Sequence, residues 1–474
     1  MQLSHTRPVA AARFDDPNLV STAGLVPVMA LAQASGLLTL ADQHLSVPTD
    51  KGAHAGRKIG SLVAGMVGGA DSIADLAILR HGAMGTVFDR PCAPSTLGSF
   101  LRQFTFGHVR QLDAVASRFL CALAEKAPVV AGIDTGRVLV DIDDTIIEVH
   151  GHGKEGSGYG YSGVRGLNAL ITTVTTDTCA PVIVGQRLRR GAVGSPRGAT
   201  RMVTDTLATV DRLRTQAIGA SRDGAPKILV RGDSAFYGHP TIGAAIRAGA
   251  DVSVTVRLTK TIKRAIESID ETWTPIEYTN AIYDADTDTW ISRAEVAEIP
   301  FTAFASQTKA HHIAGRLVVR RIPDLRPTKD QAQGALFDIW RFHAFFTTTD
   351  PDEVDTVAAD KLHRQHAIIE QVHADLKNSA LAHLPSSRFT ANAAWLVCAV
   401  MAFNLTRAAG TLTGDRQLTK ATTGTIRRTL VSVPARIASS ARRLTLHLPT
   451  HWPWGRAWIT LFENAFGRSD PIIV

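Results

Sequence analysis

The sequence predicts an α/β protein: a mixed sheet covered by helices and interrupted by a β-rich insertion, with an all-α N-terminal domain before it and a helical, basic C-terminal tail after it. Three observations lead there. From about Gly24 to Ala127 apolar residues recur at three- and four-residue spacing, as in "LVPVMALAQASGLLTLADQHL" and "VRQLDAVASRFLCALAEKA", which is the period of a helix. The texture changes at Pro128, after which "VLVDIDDTIIEVHG", "LNALITTVTT" and "APVIVGQRLRRG" read as successive strands. Between roughly Thr259 and Thr349 the α/β rhythm gives way to β-prone pieces joined by polar turns.

Taken in order, residues 1–127 form the helical domain. Within it, "PCAPSTLGSFLRQFTFGHVRQL" has Pro94 and Ser95 opening a short helix and a Phe-Gly break before a second. Two readings stay open, a DNA-binding helix-turn-helix and an αα-hairpin of the core. Residues 128–258 supply three strands, the helix "MVTDTLATVDRLRTQAIG", the strand in "KILVRGDSAFYG", the helix "TIGAAIRAGA" and the strand "DVSVTVRL". That order suits a mixed sheet covered by helices, and it is the order of an RNase H core. The insertion spans 259–349, with "TWTPIEYTNAIY", "RLVVRRI" and "FDIWRFHAFFTTT" as its β-prone runs. The last part of the core, 350–410, opens with a strong helix: Asp350 as N-cap, Pro351 in the first turn, Glu353 at the capping-box position, running to about Asn378. The tail, 411–474, is basic; from Arg407 to Arg456 there are nine Lys or Arg against one acid, Asp415.

Composition narrows the partners. Lys and Arg total 51 against 43 Asp and Glu in 474 residues, a net charge of +8 that favours a polyanion. The longest apolar stretch, Ala393 to Leu405, falls short of the roughly 20 residues that span a bilayer and reads as a buried helix. The N-terminus "MQLSHTRPVAAARFDDP" lacks the apolar core of a secretory signal, so a cytosolic protein is expected. Cys92, Cys121, Cys179 and Cys398 are scattered, with no Cys-x-x-Cys pair, and predict buried thiols.

Three acidic positions carry the chemistry. In "VLVDIDDTIIEV", Asp141 and Asp143 share one face of a strand and Asp144 faces away or leaves it. Carboxylates so crowded repel unless solvent or a divalent cation neutralises them. Asp233 stands just past the apolar run of "ILVRGDSAF", where open α/β sheets build sites. In "HRQHAIIEQVHADLKN", His363, His366, Glu370, His373 and Lys377 form one polar helical stripe, opposite Ile368, Ile369, Val372 and Leu376. Two strand acids and a distant helical Glu are the set a two-metal phosphoryl-transfer site draws together.

These motifs carry two resemblances. "DIDDTI" satisfies the Asp-x-Asp-x-Thr motif of haloacid dehalogenase-like phosphatases, with Asp141 as nucleophile and Asp143 as acid/base. Phe236 and Tyr237 stand where that family's later motif needs another acid, and it has no role for Glu370. Over almost the whole chain the sequence resembles instead a DDE insertion-sequence transposase with a β-rich insertion before the third acid, and is most similar to insertion sequence family 1380. The carriers are "DIDDTIIEVHGHGKEGSGYGYSGVRGLNAL", "RGDSAFY", "CAPSTLGSFLRQF" and the helix around Glu370. The family's Tyr-x2-Arg-x3-Glu-x6-Lys signature has the interval of Glu370 to Lys377, with His363 and His366 in place of the Tyr and Arg.

The resemblance implies an RNase H-like core in which Asp143, Asp233 and Glu370 are catalytic and hold two Mg²⁺ ions about 4 Å apart, with Mn²⁺ able to substitute. Asp143 is taken as the first acid on the family pattern, with Asp141 and Asp144 as alternative metal ligands. Arg364, His366 and Lys377 would bind phosphate near the scissile bond, and Trp273, Trp290 or Trp340 would stack on a flipped base. The implied partners are DNA, as terminal inverted repeats and target, and a second copy of the chain on paired ends; no membrane is implied. The implied location is the cytoplasm of a bacterial-type cell, on the nucleoid when DNA-bound. A catalytically inactive DNA-binding relic is the second reading, resting on His363 and His366.

Overall fold

The computed structural model describes residues 11–47, 52–151, 153–218, 227–269, 273–284, 289–323, 340–440 and 443–467. A two-residue strand β1 (Leu19–Val20) precedes the helices α1 (Leu25–Ala34), α2 (Leu37–His44), α3 (Ala55–Gly68), α4 (Met84–Val87), α5 (Pro94–Leu101) and α6 (Phe106–Lys126). The strands β2 (Val138–Glu148), β3 (Gly158–Tyr159), β4 (Arg165–Thr175) and β5 (Val182–Arg190) follow, then α7 (Ala199–Ile218), β6 (Ile228–Gly232), α8 (His239–Arg247), β7 (Asp251–Thr255) and α9 (Lys260–Glu267).

A mixed sheet forms the centre. β2 pairs antiparallel with β4, and β4 with β5 and the short β3. On its other side β2 pairs parallel with β6, and β6 with β7, the connections running through α7 and α8 as parallel pairing requires. Strands buried on both faces should read as near-continuous apolar runs, and Val138, Leu139, Val140 and Ile142 are buried on opposite sides of β2. α7 covers one face with Met202, Val203, Leu207, Val210 and Leu213, at helical spacing.

The insertion differs from the expected separate subdomain. β8 (Thr274–Asp284), β9 (Thr289–Ala303), β10 (Ile313–Pro323) and β11 (Trp340–Thr347) extend the same sheet, because β11 pairs antiparallel with β7 and the order runs on β11-β10-β9-β8. The hydrogen-bonding edge of β7 is closed by a strand almost a hundred residues later. β9 was not among the expected strands; its run "AEVAEIPF" mixes charge with small residues, yet Ala294, Val296 and Ala297 turn inward.

Residues 350–378 also differ from expectation. Asp350 makes a turn, its Oδ1 accepting from Asp352 N at 3.0 Å. The helix α10 (Thr356–Arg364) starts later, capped by Asp355, whose Oδ1 accepts from Ala358 N at 2.7 Å. A 3₁₀ turn at Gln365–Ala367 separates it from α11 (Ile368–Lys377).

α12 (Phe389–Leu412) is long and apolar enough to cross a bilayer, but 89% of its apolar window is buried inside the protein, against α3, α6 and β5. Its Asn404 reaches the bulge in β5, accepting from Ile183 N at 2.9 Å and donating to Ile183 O at 2.8 Å. Two buried backbone groups of β5 are thereby satisfied. Short helices α13 (Arg416–Lys420) and α14 (Thr423–Ile426) lead to a β-hairpin, β12 (Ala435–Ser440) and β13 (Arg443–His447), and to α15 (Gly455–Phe466). The tail is therefore not all helical, and it is not a separate appendage: β12 pairs with β1 and α15 packs on α1. The segment read as a helix-turn-helix or an αα-hairpin forms two helices. Leu97, Phe100 and Leu101 of α5 are buried, and α5 and α6 both pack on α12, which makes them part of the core.

Candidate active site

β2 runs from the core to the wall of a cavity of about 1160 Å³, which Asp143, Asp144, Asp233, Arg257 and Lys377 line with Tyr159 and Tyr161. The parallel register puts Asp141 beside Arg231 and Ile142 beside Gly232, so one further step brings Asp143, midway along β2, next to Asp233 just past the end of β6. Burial pushes the Asp143 carboxyl up to about 7; the Asp233 and Asp144 charges push the same way, against the Asp144 N–H that donates to it at 2.8 Å. Asp233 is raised too, first by partial desolvation, although its Oδ1 accepts from Ala235 N at 2.9 Å. Two carboxylates that resist ionising together are a place where a cation is favoured.

Asp144 alternates to the other side of β2 from Asp143 and still lines the cavity. Arg189 Nη2 donates to its Oδ2 at 2.7 Å and Asn168 Nδ2 donates to the same oxygen. The same guanidinium donates through Nη1 to Ser195 O at 2.8 Å and Arg197 O at 2.7 Å, fixing the loop after β5 that closes the cavity. Gly191 in that loop has no room for a side chain: a Cβ would lie 2.0 Å from Gly166 O and 2.4 Å from Gly158 O.

Asp141 never reaches the cavity. It is 0% exposed, Arg231 Nε donates to its Oδ1 at 2.7 Å and Nη2 to its Oδ2 at 2.8 Å, and His366 Nδ1 lies 2.9 Å from Oδ1. Burial would raise this carboxyl, but Arg231 and His366 outweigh it and hold it below the usual range. With both oxygens engaged in the interior, Asp141 is neither an alternative metal ligand nor the attacking carboxylate of a haloacid dehalogenase-like phosphatase.

The helical stripe divides. His363, where the family signature has Tyr, stacks on Phe345 with ring centroids 4.0 Å apart, within hydrogen-bond reach of Ser253 Oγ at 2.9 Å and Thr255 Oγ1 at 3.0 Å. Arg364 Nε donates to Asp360 at 2.7 Å, so it and His366 are engaged within the protein rather than presented to a phosphate. Of the three expected phosphate contacts, Lys377 lines the cavity; burial lowers its pKa, against the pull of Asp143. His373 is buried with Nδ1 3.6 Å from Asp143 Oδ2, and burial pushes it down to about 4, so it is neutral at pH 7. Glu370 is exposed on α11, on the face it shares with His366, His373 and Lys377, and is not among the cavity-lining residues.

Among the described residues no three His, Cys, Asp or Glu side chains are close enough together to cage a metal ion. Asp143 and Asp233 nevertheless fit what a hard divalent cation asks of a protein, one or two carboxylates completed by water and phosphate oxygens. Trp273 and Trp340 are committed elsewhere, flanking the Arg321 guanidinium at 4.2 and 4.5 Å. The side chain of Trp290 lies outside the described residues. The aromatics at the cavity are instead Tyr159, 68% exposed, and Tyr161, fully exposed, on the Gly-rich hairpin after β2. Sequence reasoning missed Arg231 and Arg189, and placed His373 on the polar stripe without giving it a role at Asp143; the one signal for Arg231 was a charge at the end of an otherwise apolar strand, two residues before Asp233.

No individually curated protein matches the chain. The model of the family described as "Transposase DDE domain group 1" matches residues 2–466. An acid-lined cavity at the ends of parallel strands and a family match spanning nearly every residue agree, and the chain belongs to the DDE transposases, the enzymes of DNA transposition and recombination.

Proposed function

We propose that this transposase, of the type of insertion sequence family 1380, cleaves DNA at transposon ends and joins the freed 3′ end to target DNA, using divalent metal held by Asp143, Asp233 and Glu370. The carrying observation is the placement of Asp143 and Asp233 at one cavity wall, where burial raises both carboxyls. The strand order β5-β4-β2-β6-β7, antiparallel then parallel, supports an RNase H-like core. Glu370 enters because its neighbours on the same helical face, His373 and Lys377, already interact with Asp143.

Bound Mg²⁺ or Mn²⁺, two ions in the full site, would activate the attacking oxygen and stabilise the leaving 3′ oxygen. The protein's own groups do the rest. Lys377 offers an ammonium to the scissile phosphate across from the acids. Neutral His373 presses on Asp143 without competing for its charge, and Arg189 pairs with Asp144, so that of the three carboxylates lining the cavity this one is already neutralised from within the protein. Terminal inverted repeats and target DNA are the substrates, with two copies of the chain pairing the ends; phosphate contacts make binding fall steeply with salt.

The test is nicking of DNA carrying the element's ends with Mg²⁺. Asp143→Asn, Asp233→Asn and Glu370→Gln should each lose about 100-fold or more in rate. Wild-type rates in all three would eliminate the site. No activity in any protein, wild type included, would favour the inactive relic.

A further inference from the structure

We infer that Asp141, Arg231 and His366 are positioning residues that set the spacing of the three acids, an inference that rests on the site proposed above. Each stands one same-face step from an acid. Asp141 precedes Asp143 by two residues in β2, Arg231 precedes Asp233 by two across the end of β6, and His366 precedes Glu370 by one helical turn. The three side chains meet beneath the cavity, with Asp141 and Arg231 0% and 1% exposed and His366 15%. Arg231 uses its whole fork: Nε and Nη2 take the two oxygens of Asp141, and Nη1 donates to Leu362 O at 2.5 Å, near the end of α10. His366 Nδ1 completes the set on Asp141 Oδ1.

One guanidinium and one carboxylate thus tie together three segments that are remote in sequence and that each carry one acid. Well-packed apolar side chains fill such a space about as stably, so the ion pair is not needed for stability. What it adds is register. A one-residue slip of β2 against β6 would turn Asp141 or Arg231 to the opposite face and leave the other charge buried alone. The α10–α11 segment, broken by its 3₁₀ turn, has its own tether through Leu362 O and His366. His366 therefore serves the acids from below rather than the DNA from above.

The full-length protein is compared with Asp141→Leu/Arg231→Met, His366→Leu and His366→Asn, the last keeping a donor near the position of Nδ1. Four readouts are taken: unfolding midpoint, binding of end DNA, Mn²⁺ affinity by electron paramagnetic resonance titration, and nicking at saturating DNA. The double variant and His366→Leu should fold and bind DNA as the wild type does. Both should lose about tenfold or more in Mn²⁺ affinity and in kcat, with His366→Asn restoring both to within about threefold. Unchanged Mn²⁺ affinity and kcat in His366→Leu, or equal losses in His366→Asn and His366→Leu, would overturn the inference. If the double variant does not fold, the His366 pair decides. Asp143→Asn and Asp233→Asn run in parallel: if they abolish Mn²⁺ binding and nicking while the positioning variants do not, only this inference fails. If they too are without effect, the site itself is wrong.

Discussion

Asp141 and Asp143 stand two residues apart on one face of β2, and their surroundings are opposite. Asp141 sits in the floor, where Arg231 and His366 hold it ionised below the usual carboxylate range. Asp143 sits in the wall, where burial and the Asp233 and Asp144 charges push it up to about 7. Identical side chains acquire different work because a guanidinium grips both oxygens of one, while at the other burial outweighs every favourable partner. An acid already neutralised by protein is a structural part, and an acid left short of positive charge is prepared to take it from outside.

The largest expected effect breaks the floor. Arg231→Ala removes the fork and leaves the Asp141 charge buried without its main partner. Stability should fall by about 3–5 kcal/mol, read as a lower urea midpoint. A loss below ~1 kcal/mol would mean that water or a rotated side chain neutralises Asp141, and the contrast with Asp143 would dissolve.

The wall should respond in the opposite direction. The folded Asp143 carboxyl lies at about 7 against 3.8 for an ordinary Asp, so its stabilising contribution is complete below 3.8 and is lost as pH rises through 7. Asp143→Asn, which removes the charge, should therefore stabilise the metal-free protein at pH 8 by about 2 kcal/mol and leave it unchanged near pH 3. The measurement is denaturant unfolding at both pH values. No gain at pH 8 would show Asp143 to be already compensated.

Much of this comparison was legible in the sequence, and the part that was not has a physical cause. Period-two alternation put Asp141 and Asp143 on one face, and the apolar run before Asp233 placed it at a strand end. What one strand cannot reveal is its neighbour's register, and the pairing of Asp141 with Arg231 exists only because β2 and β6 run parallel in that register. The same limit explains the insertion: β8 to β11 look like a unit of their own until β11 finds the free edge of β7. The helix start slipped from Asp350 to Asp355 because both are good caps, and the Asp350 side chain closed a turn instead. The tail hairpin was hidden because its pairing partner, Leu19–Val20, lies at the other end of the chain.

His363 sharpens the account of the floor. Stacked on Phe345 and largely shielded from solvent, it is pushed by burial down to about 3, so it stays neutral in the fold while an unfolded His titrates near 6.5. Its contribution is present above 6.5 and lost as pH falls toward 3. Between pH 6.5 and 5.5 the wild type should lose about 1 kcal/mol more than His363→Gln in denaturant unfolding. Parallel pH profiles for the two proteins would mean that the ring protonates in place, and its neutral stacking role would be wrong.

The smallest effect probes the wall's outer rim, where Tyr161 is fully exposed beside the acids and does not contribute to the core. If the cavity takes DNA as proposed, a ring held in solvent at its edge is placed to stack on an unpaired base, at about 1 kcal/mol for a single contact. Tyr161→Ala should leave the unfolding midpoint unchanged and raise KM for nicking end DNA about fivefold. An abasic position walked through the terminal nucleotides locates the contact: at one site the wild type should weaken to the level of the variant, and the variant should not weaken further. If no abasic position removes the difference, the ring acts through the hairpin that carries it. The wall would then meet DNA only through Lys377 and the acids.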